Sequence, residues 1–99
     1  MTTSKRYLLN VIDKLKYVEN LRYEKENSDY ILYSNDIAFG GVYDDMLLLK
    51  ITKRSKGMIP YAREMKPYEN SDKMLHMTEL DNRVVLKEVI RVIVEDLSK

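Results

Sequence analysis

The stretch Ile37-Ala38-Phe39-Gly40-Gly41-Val42-Tyr43-Asp44-Asp45-Met46-Leu47-Leu48-Leu49-Lys50-Ile51 decides the fold. Two apolar runs flank a pair of aspartates, and Asp tolerates the left-handed backbone that a tight hairpin turn requires. The reading is an antiparallel hairpin, with strands over 37–43 and 46–51. Gly40 and Gly41 fall inside the first strand, where glycines mark a bulge or a close backbone approach. No Lys-Ser or Lys-Thr follows them and no helix begins there, so they do not form a phosphate loop. Asp44 and Asp45 are read as turn residues, because adjacent carboxylates do not converge on one metal or substrate.

Upstream, Tyr30-Ile31-Leu32-Tyr33 is another strand, joined to the hairpin by the turn residues Ser34-Asn35-Asp36. Leu21 and Tyr23 alternate with Arg22 and Glu24, a short half-buried strand that breaks at Glu26-Asn27-Ser28-Asp29. Before it, Leu8, Val11, Ile12, Leu15 and Val18 fall at spacings of three and four, the pattern of an amphipathic helix. Ser4 is its expected N-cap and Asn20 its stop. Downstream, Thr52 caps a short helix over 53–59, which Pro60 ends. An extended segment over 61–68 follows, with Pro67 confining it to an edge. Glu69-Asn70-Ser71-Asp72 is a turn, 73–77 a strand, and Asp81 the expected cap of a last helix. Leu86, Val89, Ile90, Ile93 and Leu97 form the main stripe of that helix. Val85, Val92 and Val94 widen the stripe, so the helix is expected to bury more than one side. Val85, Val92 and Tyr17 are the candidate contacts for a homodimer. The order gives an α+β domain, a two-layer sandwich with helices on one face of a mostly antiparallel sheet.

Composition sets the outer limits. At 99 residues the chain suits one domain, residues 1–99, and at this size a single core suffices. No cysteine is present, which removes disulfides, thiolate metal ligands and a cysteine nucleophile. His76 is the only histidine, and no partners are spaced to make it a catalytic base or a metal ligand. No catalytic residue, metal or cofactor is expected. No apolar run approaches the ~20 residues of a membrane span. The opening Met-Thr-Thr-Ser-Lys-Arg leads into an amphipathic segment rather than an apolar one, so a cytoplasmic protein is expected.

Charge is uneven. Lys50, Lys53, Arg54, Lys56, Arg63 and Lys66 face Glu64 alone, a net of +5 over 17 residues, leaving −4 on the other 82 against an overall +1. Such a segment is the candidate nucleic-acid contact, although a near-neutral whole argues against a dedicated DNA-binding domain. Eight tyrosines accompany one Phe and no Trp. Tyr30, Tyr33, Tyr43, Tyr61 and Tyr68 lie in or beside the expected sheet, where tyrosine combines apolar area with a polar tip. Base stacking would require them exposed beside the basic segment. A third reading is a small-ligand pocket between sheet and helices, which an apolar cavity with the Tyr43 or Tyr68 hydroxyl inside would support.

The run from Ile37 to Thr52 resembles the Gly-Gly-Ile-Tyr-Asp-Asp hairpin and Lys-Pro-Thr of the TfoX/Sxy N-terminal domain family. Ser4-Lys5-x-Tyr7-Leu8, Tyr30-Ile31-Leu32-Tyr33, Met58-x-Pro60, Pro67-Tyr68-Glu69, Lys73-Met74-Leu75 and Leu80-Asp81-Asn82-Arg83 follow in the family's order. Glu26-Asn27-Ser28 replaces a Met-Met-Gly or Met-Phe-Gly element. Ile51 stands in place of a proline, and Ser71-Asp72 in place of a small pair. The resemblance implies a two-layer fold similar to secretion-chaperone-like domains and a non-catalytic, regulatory role like that of competence transcription regulators, acting through a protein partner. The alternative is weak nucleic-acid binding through residues 50–66. A family likeness transfers function only by analogy.

Overall fold

The computed structural model describes residues 3–98. Met1 and Thr2 of the opening stretch, and Lys99, lie outside them. The order is α1 (Lys5–Lys14), β1 (Leu21–Glu26), β2 (Asp29–Ser34), β3 (Ile37–Tyr43), β4 (Met46–Lys50), α2 (Lys53–Met58), β5 (Arg63–Met65), β6 (Met74–Met77) and α3 (Arg83–Leu97).

The quoted hairpin forms as β3 and β4. Asp44 and Asp45 take φ of 50° and 57°, so both occupy the left-handed region that a two-residue turn demands. Asn35 and Asp36 do the same at 51° and 64° between β2 and β3. The first four strands are therefore a continuous meander. The chain then skips one position: β6 pairs with β4, and β5 lies outside β6. This gives one antiparallel sheet in the order β1-β2-β3-β4-β6-β5.

Register assigns the faces, because paired residues point the same way. Tyr30 opposes Val42, Leu32 opposes Gly40, Leu47 opposes Met77, and Leu49 opposes Leu75. These side chains form the inner face, packed against Leu8, Val11 and Leu15 from the first helical segment and Leu86, Val89, Ile90 and Ile93 from α3. The fold is α+β, a six-stranded antiparallel sheet with three helices among the described residues. Ile31, Tyr33, Tyr43, Leu48 and His76 lie on the opposite, outer face.

Local chemistry fixes the ends. The Ser4 hydroxyl accepts from the Tyr7 N–H at 3.1 Å, while the Ser4 N–H donates to the Asp45 carboxylate at 2.8 Å, tying the start of α1 to the hairpin turn. Thr52 and Ser55 cap α2 reciprocally. Three expectations are corrected. The cap of α3 is Asn82, whose side chain accepts from the Val85 N–H at 3.3 Å, while Asp81 instead pairs with Lys14. The extended segment expected over 61–68 contracts to three residues, because only Arg63–Met65 find partners on β6. The strand expected from Lys73 begins at Met74.

Candidate functional site

The loop between β5 and β6 folds back over the outer face of the sheet. Its own turn is built from Ser71, whose hydroxyl donates to the Tyr68 carbonyl at 2.7 Å and whose N–H donates to the same oxygen at 3.1 Å. Pro67 and Tyr68 reach far enough to line a second hollow with Glu26, Asn27, Ser28 and Asp29. Between this loop and the sheet opens a cleft of about 480 Å³, within the roughly 300–1,000 Å³ of small-molecule sites. Ile31, Tyr33, Ala38 and Tyr43 form its floor, Lys50 and Ile51 one end, and Pro67, Tyr68, Ser71, Asp72 and Lys73 its wall.

Tyr43 is fixed by its neighbour. A Cβ at Gly41 would stand 2.6 Å from the Tyr43 ring and 2.6 Å from the Tyr30 carbonyl, so only glycine lets the ring lie across β3. Burial, with the nearby Tyr68, Glu26 and Asp29 adding to it, pushes the Tyr43 hydroxyl up to about 12. It therefore stays a neutral donor throughout the physiological range. The Arg22 guanidinium lies over the Tyr33 ring, 4.2 Å from its centre, and pairs with Glu24 and Asp36.

The six cations of the basic segment do not form one surface. Lys53, Arg54 and Lys56 ride on α2. Arg54 donates to Asp96 at 2.8 Å and pairs with Glu95 at 3.0 Å, and Lys56 pairs with Glu64 at 2.8 Å. The Lys56 contact holds the Glu64 carboxyl below its usual range, with Lys73 a smaller contributor. Lys50 joins the cleft, Arg63 sits on β5 opposite His76, and Lys66 is exposed before the loop.

The three homodimer candidates differ in exposure. Val92 is 5% exposed within the single chain, and Val85 is partly buried against the core. Of the three candidates only Tyr17 stands out to solvent, its hydroxyl accepting from Arg83 at 2.8 Å beside the exposed Val84.

Sequence reading singled out Tyr43, Tyr68 and Lys50 but not Ser71, Asp72 or Lys73 as site residues. No spacing signal marks them, because their position depends on how the loop folds back. Among the described residues no group of three acidic or histidine side chains is placed to hold a metal, and no helix is long and apolar enough to cross a membrane. No protein-family model matches the chain, and no curated protein matches it.

Proposed function

We propose that this chain is a non-catalytic, regulatory interaction module of the cytoplasm, of the kind implied by its likeness to the TfoX/Sxy N-terminal family, acting through a protein partner. One observation carries the choice over direct nucleic-acid binding. Arg54 and Lys56, the centre of the basic segment, are engaged by the chain's own carboxylates, and the remaining cations are divided between α2, β4, β5 and a loop. Phosphate contacts of a DNA-binding surface require cations that are free and arrayed together. The partner is taken to be a different protein, because Val92 is buried and Val85 partly buried within the chain, leaving little of that α3 flank for a second copy.

Fluorescence anisotropy of labelled duplex and single-stranded DNA tests the choice, at about 50 and about 200 mM salt. The expected result is no saturable binding at the lower salt. Micromolar binding that weakens with salt and fails in Lys53→Ala/Arg54→Ala/Lys56→Ala would place the function on the basic segment and overturn the proposal.

A further inference from the structure

We infer that the outer-face cleft is a small-ligand site for a planar ring carrying one anionic group, a ligand of the nucleoside monophosphate class. The site would belong to the chain itself and does not depend on the protein partner proposed above.

Three features of the cleft lead there. The first is ring geometry. Tyr43 and Tyr68 line the same cleft. Tyr43 is held across Gly41, and Tyr68 is 59% exposed on the opposing loop. Two tyrosines that border one cleft offer aromatic surface to a flat guest, and aromatic side chains stack on any base. The second is charge. Lys50 and Lys73 make no salt bridge among the described residues, although Lys73 lies close enough to Glu64 to favour its ionised form. A primary amine is a compact cation suited to phosphate. The third is Asp72, the carboxylate on the same wall. It opposes a lone polyanion and offers an acceptor to sugar hydroxyls or a base amine. Two amines against one carboxylate match a ligand with a single phosphate better than a polyphosphate. The cleft volume also suits one nucleotide.

The test titrates the intact chain with AMP, adenosine and inorganic phosphate, following amide shifts by NMR. AMP is expected to bind saturably with a Kd below about 1 mM, with the largest shifts at Gly41, Tyr43 and Lys73. Adenosine and phosphate should each bind at least about ten-fold more weakly. Tyr68→Ala and Lys73→Ala should each weaken AMP by about five- to ten-fold, whereas Tyr61→Ala, equally exposed but outside the cleft, should not. Both cleft residues sit on a surface loop, and unchanged spectra of the free variants establish that the fold survives. Failure of AMP to saturate, equal affinity for phosphate alone, or indifference to both cleft substitutions would overturn the assignment. So would a single-stranded oligonucleotide binding more than about ten-fold tighter than AMP through the same residues, which would make the cleft a nucleic-acid groove.

Discussion

His76 shows how one residue's chemistry is set by its place in the sheet. It lies on the outer face between Leu48 of β4 and Arg63 of β5. Burial holds its imidazole below the ordinary histidine range, and the Arg63 guanidinium adds to the effect. The folded chain therefore prefers neutral His76, while the unfolded chain takes up a proton at about 6.5. Stability is full above that value and is lost as the pH falls from about 6.5 toward the lower folded-state value, because the unfolded state then binds more protons. Because His76 is the only histidine, it is the side chain expected to dominate that window. Urea midpoints at about pH 7.5 and about pH 5.5 check this. The midpoint should fall at the lower pH, and the fall should shrink in His76→Gln. Equal midpoints in the native chain would show that burial does not act on this group.

At the scale of elements, strand and helix identity was legible because the deciding residues are local. Asn35-Asp36 and Asp44-Asp45 specify their turns by tolerating positive φ, and the three-and-four spacing from Leu8 to Leu15 specifies α1. Boundaries were less legible where neighbours compete. Asp81 and Asn82 are both good caps, and the sequence does not reveal that Lys14 holds the first. The contraction of β5 depends on how many residues of β6 stand opposite, which is a tertiary fact. The short α2 depends most on its cap. Ser55 is fully buried, its hydroxyl accepting from the Thr52 N–H at 2.8 Å and donating to the Lys50 carbonyl at 3.2 Å. Ser55→Ala removes a partner from both groups, at a cost of about 1–3 kcal/mol. Thermal unfolding should show a Tm lower by roughly 5–15 °C, while the exposed Lys53→Ala should stay within about 0.5 kcal/mol of the native chain. A Ser55→Ala Tm within a degree of the native value would mean that water replaces the hydroxyl without loss.

For the whole molecule, the hydrophobic stripes gave the core, but they could not show where the second face of α3 or the outer face of the sheet would be covered. Val92 was legible as apolar, and only packing shows that it faces inward. Lys50 and Lys73 lie 23 positions apart and meet at one cleft because β4 pairs with β6, setting Lys50 opposite Met74. The same packing bears on the oligomeric state. The chain has 6077 Å² of accessible surface, against about 5,900 Å² for a compact monomer of 11.8 kDa. A subunit shaped for an obligate partner would expose a broad apolar face, typically about 1,000 Å² or more per chain. Here the exposed large apolar side chains, Leu9, Tyr17, Tyr23, Met58, Tyr61, Tyr68, Val84 and Leu97, are spread over α1, β1, α2, α3 and the loops, with Tyr17 bonded to Arg83 next to Val84. Sedimentation equilibrium at about 50 μM, well above the micromolar Kd of a modest self-complex, should therefore return the monomer mass. A dimer mass would contradict this account of the surface. Loss of that dimer in Val84→Asp would then place the contact at the end of the molecule where Tyr17 and Arg83 meet, rather than on the flank of Val85 and Val92.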